Sequence, residues 1–168
     1  KVRDTKRAIR EAMKLLGANE VMTYSFVHEN VIRRAEQDIS QAFKLTNALS
    51  PDLQYYRLSI LPSLLDKVHM NIKSGHDEFV LFEIGKGHNK KYHADDDKGL
   101  PLELQFVDAV YTRKKPHQAA PYFVMRRYLS ELAHDLGAEI VFKPIDTPLD
   151  FPVTAPFDQT RSALVETT

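Results

Sequence analysis

The stretch "EFVLFEIG", residues 78–85, carries apolar side chains at Phe79, Val80, Leu81, Phe82 and Ile84. Neighbouring side chains of an extended chain point to opposite faces, so both faces of this segment are apolar. A strand of that kind is buried on both sides and belongs at the centre of a sheet. One carboxylate, Glu83, lies within it. Buried there, it needs a partner. Arg57 is the candidate, in a pair that is structural by default and a ligand clamp only as the second reading.

Helical spacing surrounds this strand. Residues 4–16 place Ile9, Met13 and Leu16 on one face, with Asp4 or Thr5 to cap the start and Gly17 the end. Residues 29–37 form a short helix. Residues 59–73 form a long one, with Arg57 before it, Pro62 in its first turn and Leu61, Leu64, Leu65 and Val68 as core. Proline is tolerated there because its missing N–H would be unpaired anyway. A last helix covers 121–136, opened by Pro121 and closed by Gly137, with Phe123, Leu129, Leu132 and Leu136 as its buried side.

Strands are expected at 20–27, 42–46, 78–85, 102–112, 139–145 and in the closing "SALVE", with turn chemistry at 47–52. Residues 86–101 are a polar insertion and 113–121 a linker. Three prolines interrupt 148–156. These strands alternate irregularly with three long helices, too unevenly for a doubly wound sheet. The class is α+β: a mainly antiparallel sheet flanked by helices, in one domain spanning 1–168. The chain opens on Lys1 and reads as an excised piece of a longer polypeptide.

Lysine plus arginine equals aspartate plus glutamate at 23 each, so no overall field draws in nucleic acid. Locally, residues 1–14 hold six basic side chains (Lys1, Arg3, Lys6, Arg7, Arg10, Lys14) against two acids. That is first a solvated face and second a contact for RNA or an acidic partner. The absence of cysteine excludes disulfides and thiolate metal sites and accords with a reducing, cytoplasmic compartment. No run approaches the roughly 18 apolar residues of a membrane span.

Reactive constellations are sparse. No Gly-x-Ser-x-Gly elbow occurs, and "GKGH" at 85–88 lacks the following Lys-Ser/Thr and helix of a phosphate loop, so it reads as a turn. His88, His93, Asp95, Asp96 and Asp97 cluster within ten residues, but their spacing matches no ligand pattern and a solvated loop is the better reading. His69 reads as a partly buried packing residue, His134 as a helix-end cation. "YFVMRRYL" reads as a helix whose arginines face water. No catalytic, cofactor-binding or metal residue emerges.

Five short motifs in order say more. They are Gly17 with Glu20 to Phe26, Asn47 to Ser50, Arg57 to Leu65, Asn71, and Phe82 to Gly85. Together they resemble the β subunit of phenylalanyl-tRNA synthetase, and the helix at 121–136 and "RSA" at 161–163 fall where that family has a helix and a Pro-Gly-Arg-Ser-Ala. The likeness covers nearly the whole chain. Departures are Ala48 for a proline, His88 for a bulky apolar residue, and Asp158-Gln159-Thr160 for His-Pro-Gly.

The resemblance implies a class II synthetase core-like domain that is not itself catalytic. Class II enzymes hold the ATP phosphate with an arginine on a central strand, and Glu83-Ile84-Gly85 stands in that place, where a carboxylate would repel it. ATP and Mg2+ are implied for the whole enzyme and not for this piece. The implied partners are the α subunit, through the exposed flank of helix 59–73, and tRNA at the level of the complex. Arg57, Pro62, Asn71 and Glu83 are structural or interface candidates. Two alternatives stay open: a module binding a nucleotide or amino acid, and tRNA contact through the basic helix.

Overall fold

The structure is a computed structural model and describes residues 2–92, 101–115, 120–146 and 156–168. At its centre lies the hairpin of β4 (Glu78–Gly87) and β5 (Leu104–Arg113), paired antiparallel from Glu78↔Arg113 to Gly87↔Leu104. A two-residue strand, β1 (Asn19–Glu20), joins β4 in parallel, giving the order β1-β4-β5. The other ladders are two-stranded and antiparallel: β2 (Phe26–Val27) with β3 (Tyr55–Tyr56), and β6 (Ile140–Pro144) with β7 (Ala163–Thr167).

Both faces of β4 are covered, as its unbroken apolar run requires. Val80 and Phe82 pack with Ile9 and Met13 of α1 (Val2–Leu15) and Tyr128 of α4 (Pro121–Asp135). The Tyr128 hydroxyl donates to the Leu16 carbonyl at 2.6 Å and ties the two helices together. On the other face Leu81 and Val110 pack against Ile60, Leu61 and Leu64, at the start of α3 (Leu61–Lys73). A third cluster joins Ile32 of α2 (Glu29–Arg34) to Val27, Ala42 and Leu58. The α+β class, with helices on both sides of a mainly antiparallel sheet, is therefore present.

Several expected elements are shorter or displaced. The strand expected at 20–27 is two fragments, because Thr23 turns its N–H and hydroxyl to the Glu83 carboxylate instead of to a ladder. Residues 42–46 form no strand beyond a single bridge from Lys44 to Tyr55. The helix expected at 29–37 ends at Arg34, and Glu36 takes a left-handed φ of 57°. α1 begins at Val2, so Asp4 lies in its first turn and is not its cap. Gly17, with φ of 85°, ends that helix as expected.

Burial corrects some of the side-chain assignments too. Leu65 is 42% exposed and His69 is exposed, since α3 turns its middle outward. On α4 the buried residues are Tyr128 and Ala133, while Phe123, Leu129 and Leu136 are exposed and only Leu132 of the expected four packs inward. Counting leucines and phenylalanines misplaced that face by about one helical step. The polar insertion begins later than residue 86: Lys86 and Gly87 are still paired in β4, and His88 and Asn89 are buried. His93 and Asp95 to Asp97, and most of the proline-rich 148–156, lie outside the described residues.

Candidate functional site

The centre of the α3 side of the sheet holds a buried ionic network. Alternation along β4 points Glu83 to that side with Leu81, and the edge before α3 brings Arg57 across from it. Arg57 Nη2 donates to Glu83 Oε1 at 2.8 Å, with both side chains 4% exposed. Arg57 Nη1 donates to Thr23 Oγ1 at 2.7 Å, and Thr23 donates onward to Glu83 Oε2 at 2.7 Å. Arg57 Nε donates to the Lys86 carbonyl at 2.9 Å. The Thr23 N–H adds a fifth donor, at 3.2 Å from Glu83 Oε2. A buried charge pair is stabilised by further hydrogen bonds to both partners, and here each guanidinium nitrogen and both carboxylate oxygens have one.

Gly85 makes room for it, and Gly87 admits the neighbouring Leu58 backbone. A Cβ on Gly85 would stand 2.6 Å from Arg57 Nη2 and 3.0 Å from Glu83 Oε1. A Cβ on Gly87 would stand 2.5 Å from the Leu58 carbonyl oxygen. Gly85 and the Lys86 carbonyl of the motif "EIGKG" thus border the guanidinium. The Arg57 backbone is pinned as well: its N–H donates to the Ser25 carbonyl at 3.0 Å, and its carbonyl accepts from the His88 N–H at 3.0 Å.

Asp108 pairs with Glu83 in the β4–β5 register and extends the network. Burial pushes its carboxyl above the usual range, while the backbone amides of Leu61 and Ile60, the Arg57 cation and the Glu83 anion act on it more weakly. A carboxylate beside the first amides of α3 complements that helix's N-terminus. His88 is buried beside the Tyr56 ring, at 4.6 Å between centroids, with its Nδ1 unpartnered. Burial depresses its imidazole below 6.5; nearby Lys86 and Arg57 act in the same direction and Glu103 against it.

Of the four sequence candidates, the structure brings two together, Arg57 and Glu83. Pro62 is buried in the first turn of α3. Asn71 lies two turns further on and serves the helix end: its side-chain amide donates to the Lys67 carbonyl at 2.9 Å, and its carbonyl accepts from His76 N at 3.1 Å. Thr23, Gly85, Gly87 and Asp108 were missed as site residues. The "TYSF" and "EIGKG" motifs already contained the first three; for Asp108 the available signal was a carboxylate at an inward position of an alternating strand.

Two shallow cavities open beside α3. One, of about 280 Å³, is lined by Val31, Arg34, Pro62, Leu65, Asp66 and His69. The other, of about 480 Å³, lies between Met22–Val31 and the first turns of α3. Among the described residues no group of three or more His, Asp or Glu side chains is placed to hold a metal ion. Each guanidinium nitrogen of Arg57 already has a protein acceptor and Glu83 presents a negative charge, so this centre does not fit a nucleotide phosphate.

Residues 1–165 match the family described as the phenylalanyl tRNA synthetase beta chain CLM domain. The chain belongs to this family. A phenylalanine–tRNA ligase beta subunit from Thermotoga maritima is 27% identical over 169 residues, covering 95% of this chain and 19% of the relative. One from Oceanobacillus iheyensis is 37% identical over 151 residues, covering 83% of this chain and 18% of the relative. The chain thus spans about a fifth of the length of these beta subunits. Among solved structures, a pyrrolysyl-tRNA synthetase from Desulfitobacterium hafniense superposes with a TM-score of 0.63 at 14% identity, covering 84% of this chain and 48% of that one. The synthetase beta-chain CLM domain therefore has a class II synthetase fold. No helix among its described residues is long and apolar enough to cross a membrane.

Proposed function

We propose that this chain is a non-catalytic, synthetase-like domain of a phenylalanine–tRNA ligase beta subunit, supporting ATP-dependent charging of tRNA(Phe) by packing against the catalytic alpha subunit. The carrying observation is Glu83. The resemblance puts Glu83 at the strand position where a class II enzyme would present an arginine to ATP, and this carboxylate is locked to Arg57 at 2.8 Å. ATP and Mg2+ are then handled elsewhere in the complex. Charging of tRNA and a chain without cysteine both accord with a cytoplasmic setting.

The surface offered to the alpha subunit is the outer flank of α3. Leu65 is 42% exposed and Met70 64% exposed there, beside the shallow cavity lined by Pro62 and His69. Apolar side chains in a polar setting are the usual core of a protein interface. The test is co-expression with an alpha subunit. The chain co-purifies with it, Leu65→Asp with Met70→Asp abolishes that, and calorimetric titration of the isolated chain with ATP or phenylalanine gives no heat. Measurable ATP affinity, or no association, overturns the reading.

A further inference from the structure

The larger of the two shallow cavities beside α3, about 480 Å³, is lined in part by Met22 and Tyr24. These side chains are 94% and 75% exposed. Phe26 and Leu53 add apolar surface. Most of its polar groups are already engaged. Lys67 pairs with Asp66 at 2.9 Å. His28 Nδ1 accepts from the Asn30 N–H at 3.0 Å. The Thr23 hydroxyl is turned inward to Glu83 and Arg57. Asp52 differs: its carboxylate has no ion pair or hydrogen bond with any described residue. The buried Ser63 hydroxyl in the same wall also lacks a hydrogen-bond partner among the described residues.

The charge left unmet in this cavity is therefore negative. An entering anion would find only a carboxylate without a partner, and a neutral apolar group would leave that carboxylate unanswered. A cation answers it. The exposed tyrosine favours the same charge, because the face of an aromatic ring is negative. Met22, Phe26 and Leu53 supply apolar cover for the stem of a long side chain. Arginine suits these walls better than lysine: its guanidinium is planar, stacks on an aromatic face and forks onto a carboxylate. Sites for free small molecules enclose most of their ligand. A shallow cavity with exposed tyrosine and methionine has the composition of a protein interface instead.

We propose that this cavity receives an arginine side chain presented by a protein partner, with Asp52 holding the guanidinium and Tyr24 lying against its plane. Arginine and tyrosine are the residue types that most often anchor interfaces. The site is separate from the flank assigned to the alpha subunit, since neither Leu65 nor Met70 lines it, and the inference stands without that assembly reading.

The test is an amide NMR titration of the isotope-labelled chain with N-acetyl-arginine amide as probe. N-acetyl-citrulline amide, of similar shape and without charge, is the control. The arginine probe shifts the amides of 22–27 and 52–53 to saturation, and the citrulline probe does not. Asp52→Asn weakens binding about tenfold, as the loss of a charge-assisted contact does. Tyr24→Leu weakens it severalfold. Glu131→Gln, which removes an exposed carboxylate on α4, leaves it unchanged. Asp52 and Tyr24 are exposed, so both variants keep the fold, and the unshifted remainder of each spectrum verifies this. A blocked pentapeptide with leucine on both sides of the arginine binds more tightly than the single amide, because Met22 offers it further apolar surface. No saturable shift, equal shifts with citrulline, or undiminished binding by Asp52→Asn overturns the proposal. No gain in affinity from the pentapeptide overturns the protein partner and leaves a site for free organic cations.

Discussion

Arg57 and Glu83 meet at 2.8 Å in the interior, each side chain 4% exposed, and Thr23 bridges them from the far side. Removing one partner leaves an uncompensated charge out of water. Arg57→Met is expected to cost about 3–5 kcal/mol in urea unfolding, and Glu83→Leu a similar amount. The double variant Arg57→Met/Glu83→Leu loses clearly less than the sum, because neither charge is then stranded. Additive losses would show that the pair is not coupled.

Gly85 and Gly87 differ in what a methyl group would strike. At Gly85 the nearest atom is the tip of the Arg57 side chain, at 2.6 Å; at Gly87 it is a backbone carbonyl oxygen, at 2.5 Å. A side-chain tip shifts more readily than a backbone. Both Gly→Ala variants are expected to lose about 1–3 kcal/mol, with Gly87→Ala the worse. Thermal melts of the two side by side decide the order.

Neighbours on α3 separate core from surface. Leu64 is fully buried and Leu65 is 42% exposed. Leu64→Ala is expected to cost about 2–5 kcal/mol. Leu65→Ala leaves the stability of the isolated chain within about 0.5 kcal/mol. A large loss at Leu65 in the isolated chain would place it in the core after all.

The buried His88 imidazole gives a pH dependence with a definite sign. Its folded-state pKa lies below 6.5, chiefly through burial. Between that lowered value and 6.5 the unfolded chain binds more protons, so stability rises with pH in that window. The contribution is held above pH 6.5 and lost as the pH falls below it. His88→Leu, which restores a bulky apolar side chain, is expected to flatten the melting temperature between pH 7.5 and 5.5 relative to wild type. An unchanged pH slope in the variant would assign the effect to other groups.

What the sequence reveals depends on how local the deciding physics is. The central strand was legible because "EFVLFEIG" is apolar on both faces, and the Arg57–Glu83 pair because a carboxylate in such a run has so few partners. Gly17 and Pro62 marked helix ends through backbone geometry alone. The break at Thr23 was not legible: "EVMTYSFV" has strand propensity throughout, and a hydrogen bond to a residue 60 positions away overrides it. The buried face of α4 was misjudged for a related reason. Its packing partner is α1, and Tyr128 reaches Leu16 across 112 positions, which no local pattern encodes. The site as a whole was half visible, since Arg57 and Glu83 announce themselves while Asp108, Thr23 and the glycines do not.

The backbone of Arg57 is held on one side by Ser25 and on the other by His88, while its side chain holds Thr23, Glu83 and Lys86. Three stretches distant along the chain are thereby fastened at one residue, with a charge as the rivet. Partial opening anywhere among them would expose an ion to a dry interior, so this neighbourhood opens only when the entire domain does. Its amides should exchange with solvent last, on the timescale of global unfolding.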